Sequence, residues 1–162
     1  MQTQLHTLPK LLKNCLAVFL VTLAFGYLSG VDLLKHTTDF KSQGIQENVL
    51  GNELDESAEA LHFKMSEREL HGIVHSHVVS LSVLFLALAL LFYFSSYSTT
   101  LKSILMIEPM VSLVATFGGL WLLWNGVVWM KYIIMVSGIL MHLSFVLLII
   151  LLLRELVLKR NL

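Results

Sequence analysis

Apolar and polar residues alternate along this chain in long blocks. The first apolar block runs from Leu11 to Gly30, preceded by Lys10 and Lys13. A polar stretch, 31–70, separates it from a second block at 72–95. Two more follow at 104–124 and 132–153. Each block is close to the roughly 20 residues that an α-helix needs to cross a hydrocarbon core of about 30 Å. The pattern predicts an all-α membrane protein: a four-transmembrane-helix up-down bundle with one extracytoplasmic loop between helices 1 and 2. The whole chain, 1–162, forms a single integral domain. Ala24-Phe25-Gly26 has the small-x-small form of a signal-peptide cleavage site. The apolar run continues through Tyr27 and Leu28, however, and favours a retained span. Gly26 and Gly30 form a GxxxG pair, which lets another helix approach closely.

Within 31–70, Ser42-Gln43-Gly44 and Gly51-Asn52 carry turn chemistry. Asn52, Leu54, Asp55, Ala58 and Leu61 have the spacing of a short amphipathic helix lying on the membrane surface. Ser66 and Glu69 form a capping box, with Met65 and Leu70 placed as its hydrophobic staple. The second helix therefore starts before its apolar part, which begins at Ile73. The link 124–131 is short, so the third and fourth spans form an antiparallel hairpin. Trp121, Trp124, Trp129 and Tyr132 mark an interfacial aromatic belt there.

Composition agrees with the pattern: 56% of the 162 residues are apolar and 14% charged, with a mean hydropathy of +0.77. Ordinary soluble domains carry about 25% charged residues. The formal charges cancel, but unevenly: 31–70 holds nine acidic and four basic residues, leaving two acidic and seven basic elsewhere. Lys10, Lys13, Lys102, Arg154, Lys159 and Arg160 fall on one side of the predicted topology. The positive-inside rule makes that side cytoplasmic and places both termini there. A single cysteine, Cys15, excludes an internal disulfide, a CxxCH haem attachment and a four-cysteine metal or iron–sulfur site. No basic stripe points to nucleic acid. The expected partners are the lipid bilayer and a membrane or periplasmic protein, with oligomers open.

Five of the seven histidines bear on chemistry: His62, His71, His75, His77 and His142. His6 and His36 are expected in solvent. Glu67, His71 and His75 recur every four residues, on one face of the second helix, and can ligate a transition metal ion. The helix N-terminus disfavours imidazolium and so favours the neutral, metal-binding form of the histidines. His77 points about 200° away from His75. A capped helix end with polar side chains also needs no cofactor, and that reading stays open. His142 lies about 16 Å inside the fourth span. At that depth a histidine points to haem ligation, proton relay or an interhelical hydrogen bond; Ser80, Ser82, Ser112 and Thr116 are candidate partners. Glu108, followed by the helix-breaking Pro109, suits proton entry or a quinone headgroup, or else pairs with Lys102 near the boundary.

A b-type haem held by His75 or His77 and by His142 is the natural redox centre for such a bundle. With boundaries at Ile73 and Tyr132, His77 is about 6 Å deep and His142 about 15 Å, a mismatch of about 9 Å. An outer boundary nearer Ser66 would reduce it. The expectation is a small subunit that binds haem b or a metal ion and serves membrane electron transfer, with quinone as a further cofactor. The alternative is a non-catalytic accessory or assembly subunit that docks a periplasmic partner through 31–70. The short first span, Gly44-Ile45-Gln46-Glu47, Gly51-Asn52 and His75-Ser76-His77 resemble small four-span proteins of bacterial inner membranes. The resemblance covers most of the chain and implies a location, the bacterial inner membrane, and no activity.

Overall fold

The computed structural model describes residues 4–53 and 61–158. Regular structure among the described residues is helical throughout. A 3-10 turn at Leu5–Thr7 precedes α1 (Lys10–Thr38), α2 (Ser42–Leu50), α3 (Glu67–Tyr93), α4 (Thr99–Trp124) and α5 (Met130–Val157). All but α2 are long and apolar enough to cross a membrane. The shortest of these four, with 26 residues, spans about 39 Å at 1.5 Å per residue.

Among the described residues the predicted loop is largely helical. α1 runs eight residues beyond Gly30, through Asp32 and His36, which lie 3.6 Å apart one turn from each other. It stops where Asp39 turns left-handed (φ 50°) and its N–H bonds the Lys35 carbonyl. The turn therefore falls at Asp39–Phe40, and Ser42-Gln43-Gly44 opens α2 instead of forming the turn. Gly44 serves close approach: a Cβ there would stand 2.1 Å from the Thr38 carbonyl oxygen. The surface helix predicted from Asn52 to Leu61 falls mainly on 54–60, outside the described residues. At its described ends, Asn52 and Leu61 are non-helical.

α2 lies against the bundle. Val49, almost fully buried, packs with Leu123 and Ile134, and Lys131 donates to Gln46 at 2.7 Å. The chain then doubles back: Asn52 N–H donates to the His62 carbonyl, and Met65 N–H to the Val49 carbonyl. The Trp124 indole N–H donates to the Met65 carbonyl at 2.7 Å, and Lys64 sits over the same ring. Trp124, read from sequence as a belt residue, thus pins the segment that leads into α3. The capping box forms as expected, with Glu69 N–H on the Ser66 hydroxyl and Ser66 N–H on the Glu69 carboxylate.

α5 is the hub of the bundle. It packs most extensively on α4, carries α1 on another side and touches α3 less. Its inward positions Ser137, Met141, Ser144, Leu148, Leu152 and Glu155 are buried at helical spacing. The opposite faces expose large aliphatic side chains such as Val83, Val114 and Ile139, as lipid permits, because acyl chains solvate an apolar surface as well as protein does. The short α3–α4 and α4–α5 turns make those neighbours antiparallel. One end of the bundle therefore carries α2 and the α4–α5 turn, and the other carries the N-terminal turn, the α3–α4 turn and the end of α5.

Candidate functional site

Polar side chains inside a membrane bundle are costly unless bonded, and here they follow the α4–α5 seam. Glu108, Ser112 and Thr116 recur at every fourth residue of α4 and so share one side of it. From α5, Ser144 donates a hydrogen bond to Glu108, and Ser112 donates to the other oxygen of the same carboxyl group. Thr116 and Ser137 bond across the seam at 2.7 Å, and Ser137 also donates to the Ile133 carbonyl. From Glu108 to Thr116 these hydroxyls extend about 12 Å along the helix. Buried Pro109 contributes no N–H to the α4 ladder, so the Leu105 carbonyl has no i+4 donor at the level of the carboxyl group.

The pairing of Glu108 with Lys102 does not occur. The Lys102 ammonium donates to the Tyr93 carbonyl at 2.8 Å and lies over that tyrosine ring, while Glu108 turns toward α5.

α1 brings a third titratable group to this level. Tyr27 stacks on Phe145 with 3.7 Å between ring centroids and meets the His142 ring edge-on at 5.1 Å. Its hydroxyl is buried with no hydrogen-bond partner among the described residues, and it lies within electrostatic reach of Glu108. His142 makes a 2.6 Å bond from Nδ1 to the Gly138 carbonyl. A carbonyl only accepts, so Nδ1 carries a proton.

The other histidines are distributed differently. Glu67 and His71 lie 3.6 Å apart on the exposed start of α3, and His71 meets Trp121 edge-on. His75 is exposed one turn further on. The described residues contain no group of three or more His, Cys, Asp or Glu side chains placed to hold a metal ion. Glu67, His71 and His75 are therefore not assembled as a three-ligand site. His77 donates through Nδ1 to the Ile73 carbonyl at 2.9 Å and stacks on Phe117 of α4.

Cross-helix contacts also fix relative depth. Phe117 is adjacent to Thr116, which bonds Ser137, so His77 is level with Ser137. His142 lies five residues further along α5, about 7.5 Å deeper. It faces α1, whereas His77 faces α4, and the structure does not bring the two rings to one site.

His6, expected in solvent, is half-buried, and its Nδ1 lies 3.7 Å from the carboxylate of Glu155. Glu155 itself is completely buried. Sequence reasoning passed over it among the terminal anchoring charges. The signal was the spacing Ser144, Leu148, Leu152, Glu155, which keeps it on the inward stripe. Tyr27 was passed over because a tyrosine in an apolar run reads as one more aromatic.

A family model described as a transmembrane helical domain matches residues 39–162. The match begins at the turn after α1, so it includes Glu108, Ser144 and His142 and leaves out Tyr27. No curated protein and no solved structure matches the chain. With more than half of its length matched, the chain belongs to the Aq_1264_TM family of transmembrane helical domains.

Proposed function

We propose that the chain is a subunit of the bacterial inner membrane that passes protons within the bilayer in the service of membrane electron transfer, with Glu108 as the group that takes them up and releases them. The observation that carries this reading is the position of Glu108. It is a carboxyl group nine residues into α4, about 13 Å along the helix, bonded by hydroxyls from both sides of the α4–α5 seam. A carboxyl group can hold or release a proton, and serine hydroxyls both donate and accept. Tyr27 adds a buried hydroxyl with no hydrogen-bond partner among the described residues, and His142 lies beside it. Lys10, Lys13, Lys102 and Arg154 gather at the end that carries the N-terminal turn and the end of α5, so that end faces the cytoplasm in this reading.

Proton flux into vesicles with a trapped pH-sensitive dye, driven by a potassium diffusion potential, tests the proposal. Glu108→Gln should lower the flux at least tenfold. Wild-type flux no greater than that of protein-free vesicles would rule the reading out.

A second reading, a haem or metal electron carrier, draws support from the tautomers of His77 and His142. Each donates Nδ1–H to a backbone carbonyl, as metal-ligating imidazoles do through the nitrogen that does not bind the metal. The difference of about 7.5 Å in depth weighs against one haem bridging the two. A reduced-minus-oxidised spectrum of the purified protein without Soret or α bands would remove the haem form of this reading, and metal analysis would decide the other.

A further inference from the structure

The side of α4 that bears Glu108 opens laterally toward the bilayer. Ile104, Ile107 and Val111 of α4 and Leu140 of α5 wall a shallow groove, and Glu108 and Ser112, with Ser103, form its polar floor. Entry from the lipid selects a lipophilic molecule. The floor then selects a hydrogen-bond donor. Ser112 and Ser144 already direct their hydroxyl protons at the carboxyl group, so what Glu108 still offers a visitor is unused acceptor lone pairs. A phospholipid acyl chain at this depth has no donor to give.

We propose that this groove binds the headgroup of a quinol, its ring held between the aliphatic walls and one of its hydroxyls donating to Glu108. The inference rests on the reading of Glu108 as a proton-accepting group and adds the class of molecule that the group meets. A quinone of the same shape offers carbonyl acceptors where the site offers acceptors, so the oxidised form binds more weakly. Only the quinol has this hydrogen bond to donate, which should favour it over the quinone by about tenfold or more.

Anaerobic calorimetric titration of the full chain in lipid nanodiscs is the test, with a decyl-substituted benzoquinol, its oxidised quinone and decanol as probes. The quinol should bind saturably and at least tenfold more tightly than either of the others. Glu108→Gln should bring quinol affinity down to that of the quinone. Ile107→Trp, which fills the groove from a lipid-facing position, should weaken quinol binding with Glu108 intact. Equal affinity for quinol and quinone, or quinol binding unchanged in both variants, would overturn the proposal. Carboxyl-dependent quinol binding without proton flux in vesicles would uphold the site and remove the relay. Flux without quinol binding would do the reverse.

Discussion

The backbone N–H of Ser96, in the α3–α4 turn, donates to both carboxylate oxygens of Glu155, at 2.9 and 3.0 Å. Glu155 is wholly buried near the end of α5, and His6 closes over it from the N-terminal turn. That turn is held in place by Leu5, which is buried and whose N–H donates to the Phe94 carbonyl at 3.0 Å. Three segments distant in sequence are thus fastened at one buried carboxyl group. Replacing Glu155 by alanine leaves the Ser96 N–H without this acceptor and should cost about 1–3 kcal/mol. Glutamine, which keeps one carbonyl acceptor, should cost less. Unfolding of the detergent-solubilised variants by chemical denaturation measures both, and equal losses would contradict the account.

Gly44 sits close against the end of α1, where a Cβ would stand 2.1 Å from the Thr38 carbonyl oxygen. Neither backbone can yield without moving α2. Gly44→Ala should therefore destabilise the packing by about 1–3 kcal/mol, the usual cost of overpacking. Gly26→Ala supplies the control, since a Cβ there meets nothing; its effect should stay within about 0.5 kcal/mol. Limited proteolysis at the α1–α2 turn, faster in the first variant alone, is the readout.

Thr116 and Ser137 join α4 to α5 by a buried hydroxyl pair. Double-mutant cycles on such bonds in membranes average about 0.6 kcal/mol and reach about 1.7. A cycle of Thr116→Val and Ser137→Ala should give a coupling within that range. Zero coupling would mean that the helices are held by packing alone at this level.

Lys41 hydrogen-bonds Asp39 and, by that bond and by its charge, holds the Asp39 carboxyl below the usual carboxylate range. Because the native value is lowered, the stabilisation is fully present above the ordinary value of about 3.9 and fades as pH falls through the lowered one. Between pH 5 and pH 8 the pair should contribute nothing to any pH dependence. Carbon-13 NMR of the Asp39 carboxyl should show a titration midpoint that rises toward the ordinary value in Lys41→Met.

Much of the architecture was legible in the sequence. Four apolar blocks gave four spanning helices, and Ser66 with Glu69 gave the start of α3 to the residue. What escaped was the extension of α1 to Thr38 and the helix at Ser42–Leu50, because polar and apolar residues mix there without a long period and the docking of α2 depends on Val49 finding Leu123 and Ile134. Of the candidate site, Glu108 and His142 were read from their depth alone. Tyr27 and Ser144, which complete their surroundings, were not.

The division has a physical cause. Span length, caps and turns are properties of neighbouring residues, so the sequence by itself determined that this chain folds as membrane-crossing helices and where most of them begin. Which way each helix turns its faces is a property of the assembled bundle. Lipid solvates an aliphatic face as readily as a protein core does, so hydrophobicity alone does not separate inside from outside. Only the tertiary structure decided that Glu108 points to Ser144 and not to Lys102, that Tyr27 lies on Phe145 beside His142, and that Glu155 is buried under the α3–α4 turn. Each of those choices was settled by the hydrogen bonds available where two helices meet.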